Sequence, residues 1–158
     1  MQEQAVTQQF DIPMQAVRAL RGALGERLIA VVLFGSQARG DATPESDWDL
    51  LVIAHGLPEK FFERHLLLKR ALPIESRGSI SILGRTPEEF ERRLASIYLD
   101  ITLDGQILFD PSVYAARWLR QVENLIEQKG LYRERTEAGD MWKWKTQPTA
   151  PWVLEWEK

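Results

Sequence analysis

Between Leu28 and Ala54 the chain permits few folds. Leu28-Ile29-Ala30-Val31-Val32-Leu33-Phe34 is an unbroken apolar run stopped by Gly35-Ser36. Ten residues later Asp47-Trp48-Asp49 opens a second apolar run, Leu50 to Ala54. Continuous apolar runs of this length read as strands buried on both faces, which need helices above and below them. The intervening Gly40-Asp41-Ala42-Thr43-Pro44-Glu45-Ser46 is dense in turn formers and is expected as a surface loop. Side chains alternate along an extended strand, so Asp47 and Asp49 are expected to share one face while Trp48 and Leu50 take the other.

The flanking sequence supplies the helices. Met1 to Gln8 is polar and expected to fray. Asp11 is a candidate helix cap with Pro13 in the first turn, and Met14, Val17, Leu20 and Leu24 recur at helical spacing before Gly25. A second helix is expected from Pro58 to Leu72, burying Phe61, His65, Leu68 and Leu72, with Phe62 and Leu66 widening that face. Ser79 to Leu83 reads as a third strand ended by Gly84. Thr86-Pro87-Glu88-Glu89 carries the spacing of a capping box, so a helix starts there, runs to about Ser96, and continues or restarts through Asp104. After a turn at Gly105, Gln106 to Phe109 is a short strand. Asp110-Pro111 opens a long helix to Lys129 with Gly130 as its stop and Val113, Trp118, Val122, Leu125 and Ile126 as its apolar face. The result is one α/β (α+β) domain over residues 1–130, a small mixed β-sheet with helices packed on it. Residues 131–158 form a separate tail. Its last 17 residues hold four of the six tryptophans, a density that implies docking on the domain itself, on a partner, or on a second copy in a homo-oligomer.

Composition removes several kinds of chemistry. The chain of 158 residues has no cysteine, which excludes disulfides, thiolate nucleophiles and cysteine-based zinc sites. His55 and His65 are too few and too far apart for a metal cage. A net charge of -3 argues against a dedicated nucleic-acid binder, yet allows a nucleotide whose phosphates are neutralised by a metal ion. No stretch approaches the roughly 20 apolar residues that cross a bilayer, and the N-terminus lacks the pattern of a signal peptide, so a soluble cytoplasmic protein without a membrane role is the expectation.

Two carboxylates beside a Gly-Ser turn suit a divalent cation that carries a phosphate. Gly35 lets a ligand approach the backbone, Ser36 offers a hydroxyl and the start of a short helix it is placed to cap, and Arg39 lies one turn further on to meet phosphate charge. Each element alone is common, and the combination is what carries weight.

Gly35-Ser36, ten residues, then Asp47-Trp48-Asp49 resembles the signature of the DNA-polymerase-β-type nucleotidyltransferase superfamily. The longer strings Phe34 to Gly40 and Ser46 to Leu50 are most similar to its minimal nucleotidyltransferase (MNT) branch. The resemblance implies the polymerase-β-like nucleotidyltransferase fold and a Mg2+-dependent transfer of a nucleoside monophosphate, usually AMP from ATP. It implies that Gly35, Ser36 and Arg39 handle the nucleoside triphosphate and that Asp47 and Asp49 are the catalytic metal ligands. It also implies an acceptor hydroxyl, with a HEPN-like toxin partner as one candidate acceptor. The family pattern carries a third acid on the strand after the second helix. Here that strand is Ser79-Ile80-Ser81-Ile82-Leu83, with Ser79 and Ser81 toward the site and Glu75 upstream in a loop. The departure leaves a second reading open, a module that kept the fold and binds nucleotide or partner without turnover.

Overall fold

The computed structural model describes residues 2–146, with side chains from residue 11 onward. Its elements in chain order are α1 (Gln2–Leu24), β1 (Leu28–Phe34), α2 (Gly35–Arg39), β2 (Trp48–Ala54), α3 (Phe61–Ala71), β3 (Ile80–Arg85), α4 (Pro87–Arg92), α5 (Ser96–Asp104), β4 (Gln106–Phe109), α6 (Tyr114–Lys129), β5 (Leu131–Thr136) and β6 (Gly139–Trp144). Four strands make one sheet in the order β3-β2-β1-β4. β1 pairs antiparallel with β2 and with β4, and β2 pairs parallel with β3, so the sheet is mixed. A parallel pair needs a crossover, and α3 provides it.

Both faces of the sheet are covered, as the apolar runs require. On one face Val31, Leu33, Leu50 and Val52 pack with Val17, Leu20 and Leu24 of α1 and Leu68 of α3. On the other, Ala30, Val32, Leu51 and Ile53 pack with Phe90, Tyr98, Leu99 and Ile101, and with Val122, Leu125 and Ile126 of α6. The pairing of β1 with β2 slips between Leu28 and Ala30, and from Val31 onward β1 alternates between the two cores. Strand alternation places Trp48 and Leu50 in the first core and leaves Asp49 half-buried on the opposite face.

Five sequence-based expectations are corrected. The first helix starts at Gln2, not Asp11, and Pro13 lies inside it. A proline removes one helical hydrogen bond but its fixed φ is helical. The Asp11 carboxylate accepts instead from the Gln15 side chain at 2.8 Å, four residues on. Met14 is exposed, so the apolar face of α1 is Ala16, Val17, Leu20 and Leu24. In α3 the buried face is rotated: Phe61 and Phe62 stand 80% and 69% exposed, while Arg64 and Leu68 are buried. β3 runs on through Gly84 rather than ending there. A Cβ on Gly84 would lie 2.6 Å from the Leu68 side chain, so the glycine lets α3 pack against the sheet. The long helix begins at Tyr114, with Val113 outside it and 59% exposed, because the Asp110 carboxylate accepts from the backbone N–H groups of Ala115 and Ala116 at 3.1 and 2.9 Å.

The Thr86–Glu89 capping box is present with both of its hydrogen bonds, and the chain restarts a helix at Ser96. Residues 131–144, the first part of the expected tail, form a β-hairpin. Its Trp142 and Trp144 pack against the second core, and the Trp142 indole donates to Asp100 at 3.0 Å. Arg133 grips Asp104 through two bonds of 2.5 and 2.8 Å. Trp152 and Trp156, also assigned to the docking tail, lie outside the described residues. Among the described residues no helix is long and apolar enough to cross a membrane.

Candidate active site

β1 ends at Phe34 and the chain turns at once into α2. Gly35 makes that turn with φ of +74°, a left-handed conformation that side chains disfavour. A second constraint acts on the same atom. A Cβ on Gly35 would lie 2.2 Å from Asp49 Oδ2, so the Asp49 carboxylate occupies the space a side chain would need. The antiparallel register puts Phe34 opposite Asp49, which is what brings the Gly-Ser turn and the first residues of β2 together.

Asp49 is half-buried, and burial holds its carboxyl above the usual aspartate range. The neighbouring Asp47 charge adds to the rise, while Arg39 and a hydrogen bond from Ser81 oppose it. Asp47 itself is exposed, one residue before β2 begins. The two carboxylates therefore repel each other at the rim of the sheet, in a place where one is already short of water.

Ser36 does not cap α2. The capping position is Phe34, and Ser36 sits at the second helical residue, because the sharp bend comes one residue earlier than its side chain would need. Its hydroxyl makes no hydrogen bond among the described residues. Arg39, at the other end of α2, lies within electrostatic reach of Asp49, but its guanidinium is held by Asp41 at 3.2 Å and Asp104 at 3.7 Å. Gly35, Ser36, Asp47 and Asp49 are thus gathered at one end of β1 and β2, with Arg39 on the flank.

On the other side of Asp49 stands β3. Ser81 pairs with Asp49 and is exposed on the same face. Ser79 belongs to a turn of 3-10 helix, where its hydroxyl donates to the Ser76 carbonyl, so of the two serines only Ser81 meets the site. Glu75 is an exposed turn residue. Among the described residues no third acid joins Asp47 and Asp49.

Sequence reasoning missed Lys69. It projects from α3, and its ammonium donates to the backbone carbonyls of Arg77, at 3.0 Å, and Ile80. Burial lowers its pKa, attraction to Asp47 pulls it back up, and Arg77 lowers it. The only signal in the sequence was a lysine on the helix that links the two parallel strands, and many such lysines simply face water.

The donor set suits a hard cation. Two carboxylates and a hydroxyl are the oxygen ligands Mg2+ prefers, and a divalent ion there would relieve both the repulsion and the burial cost at Asp49. A groove of about 920 Å³ lies at the opposite ends of β1 and β2 between Arg21, His55, Phe109 and Tyr114. It has no paired carboxylates, so it does not compete for this chemistry.

Comparison with known proteins shows the family of the chain. Residues 17–129 match the family described as nucleotidyltransferase domain. A Methanocaldococcus jannaschii protein named as a protein adenylyltransferase is 34% identical over 108 residues, covering 66% of this chain and 74% of its own. Another from the same organism, similarly named, is 29% identical over 94 residues, 59% of this chain and 90% of its own. Among solved structures, a mutant of the toxin–antitoxin complex MntA–HpeT shares the fold, with a TM-score of 0.50 and 15% identity over 71% of this chain and 84% of that one.

Proposed function

The chain belongs to the nucleotidyltransferase domain family, and on that premise we propose that it moves AMP from ATP to a hydroxyl on a protein, with Mg2+ held by Asp47 and Asp49. One observation carries the reading: the Asp49 carboxylate packs on Gly35 so tightly that only glycine fits, which joins the acid pair to the Gly-Ser turn in one site. When bound, the ion would polarise phosphate oxygens and offset their charge.

The chain's own residues have definable tasks. Gly35 and Ser36 bring backbone N–H groups of the first turn of α2 to the triphosphate, and the uncommitted Ser36 hydroxyl adds a donor. Arg39 meets phosphate charge once it lets go of Asp41, a trade between two anionic partners. Asp47 and Asp49 hold the ion and thereby fix the phosphate that is attacked. A protein acceptor is favoured because both curated relatives are named as protein adenylyltransferases. A HEPN-like partner is a specific candidate for that acceptor.

A second reading has its own observation. Ser81 stands where a third carboxylate would complete the ligand set, which favours a nucleotide-binding module without turnover. Incubation with labelled ATP and Mg2+, with and without a candidate HEPN-like protein, separates the two. Label on protein that vanishes in an Asp47→Asn/Asp49→Asn variant is the result expected for the enzyme. Mg2+-dependent ATP binding without any transfer supports the module. No binding of ATP at all overturns both.

A further inference from the structure

Six side chains on the flank of the candidate site close a ring of alternating charge. Arg39, the last residue of α2, meets Asp41 at 3.2 Å and Asp104 at 3.7 Å. Asp41 is met in turn by Arg135 at 2.9 Å, and Asp104 by Arg133 at 2.5 and 2.8 Å. Asp140, on the facing strand of the hairpin, joins Arg133 at 3.7 Å and Arg135 at 3.5 Å. The ring spans α2, the loop after it, α5 and both strands of the hairpin. A single surface ion pair contributes little, but here each member is held by two partners at once.

Within the ring Arg39 has the longer contacts. Each of its two acids has a closer partner in the hairpin, and among the described residues neither acid pairs with any other cation. When Arg39 turns away, Asp41 keeps Arg135 and Asp104 keeps Arg133, so no carboxylate is left without a cation. A carboxylate with Arg39 as its sole cation would hold it more tightly. Arg39 also stands four residues after Gly35, on the same face of α2, and the Asp49 carboxylate packs against Gly35. The guanidinium is thus one helical turn from the Gly-Ser turn.

We propose that the hairpin arginines Arg133 and Arg135 are positioning residues for the nucleotide: by holding Asp104 and Asp41 they leave Arg39 able to turn to a triphosphate at Gly35 and Ser36. The inference rests on the nucleotide-binding reading above. The hairpin arginines touch the acids, and Arg39 alone touches phosphate.

ATP binding to the full chain, measured by calorimetry in the presence of Mg2+, tests this. Arg135→Gln is the probe, because that side chain is 70% exposed and its loss leaves the Arg133 contacts in place. It is expected to bind ATP about threefold more weakly, the scale of an exposed ion pair, since Asp41 then depends on Arg39. Arg135→Lys keeps the charge and is expected to bind as the wild type does. Arg39→Gln is expected to weaken ATP binding, and adding Arg135→Gln to it is expected to weaken binding no further, because nothing remains to be released. An equal loss from Arg135→Gln in both backgrounds means that the hairpin charge acts on the nucleotide directly, and overturns the proposal. So does unchanged affinity in Arg135→Gln or in Arg39→Gln, or a loss in Arg135→Lys equal to that in Arg135→Gln. Thermal melting establishes that each variant is folded. Should Arg135→Gln not fold, Asp41→Asn releases Arg39 from the other end and is expected to tighten ATP binding, with unchanged or weaker binding overturning the proposal. Failure of the wild type to bind ATP is a different result and overturns the nucleotide reading itself.

Discussion

A methyl group on Gly35 would have to displace the Asp49 carboxylate while sitting in a left-handed backbone conformation. The backbone part costs about 1–2 kcal/mol for a residue with a Cβ. Gly35→Ala is therefore expected to fold with a lowered Tm and to lose ATP binding, as calorimetry and nucleotide titration would read. Asp49 makes the opposite trade. Its native pKa is raised, chiefly by burial, so ionising it costs stability. Below the ordinary aspartate range both states are protonated and the cost is absent. It grows as pH rises to the native pKa and is complete above it. Asp49→Asn is expected to melt higher than wild type at pH 7, with the gain fading by about pH 3, while AMP transfer is lost. Equal Tm differences at both pH values would contradict this. The spacing that marks Gly35, Ser36, Asp47 and Asp49 was legible in the sequence because it is local. The tie of Lys69 to the Ile80 carbonyl was not legible, since it depends on how α3 returns the chain to β3.

Helix α3 shows the same limit for an element. Its apolar residues suggest burial of Phe61 and Phe62, yet the face against the sheet carries Arg64. A guanidinium is tolerated there because its N–H groups meet the carbonyls of Pro58 and Gly84 and both oxygens of Glu89, at 2.7 and 2.8 Å. Glu89 is 25 residues away in sequence and lies in the capping box of α4, so one side chain both caps a helix and neutralises another. The Arg64 bond holds the Glu89 carboxyl below its usual range. Its contribution is present above the ordinary glutamate range and is lost as pH falls through the lowered native value. Glu89→Gln is expected to cost about 2–3 kcal/mol at pH 7 and less in acid, measured by urea unfolding across pH. Thr86→Ala, which removes only the cap, is expected to cost about 1 kcal/mol at every pH. The capping box was readable from four adjacent residues. The buried arginine was not, because its partners come from three separate segments.

The whole molecule is closed by the hairpin of β5 and β6. Arg133 is largely buried and binds Asp104 and Asp100 of α5, and Arg135 binds Asp41 at 2.9 Å in the loop after α2. Asp41 and Asp104 are also the partners of Arg39, so the hairpin and the flank of the candidate site share two carboxylates. Arg133→Ala is expected to cost about 2–3 kcal/mol, since it strips Asp104 of both its short bonds and leaves it only the more distant Arg39. Hydrogen exchange is expected to quicken across residues 131–144 and stay slow in β1 and β2. Uniform quickening would mean that the hairpin is not a separable unit. The hairpin was read in sequence only as a tryptophan-rich tail, because its strands alternate charged and aromatic residues and their pairing is set by the acids waiting on α5.

What the sequence determined by itself is what short-range spacing can encode: two strands buried on both faces, the Gly-Ser turn, the aspartates two apart, and the capped helix start at Thr86. Tertiary structure decided everything that needs two distant segments at once. It set which face of α3 is buried, that Ser81 stands opposite Asp49, and that the Lys69 ammonium is tied to the Ile80 carbonyl at the start of β3. The physical reason is that a charge or a glycine is chosen for what lies across from it. Residues within a few positions fix their own neighbours, whereas the partner across a sheet is fixed only when the register forms. The acid pair was therefore visible from the start, and the close fit of Asp49 against Gly35 was visible only in the fold.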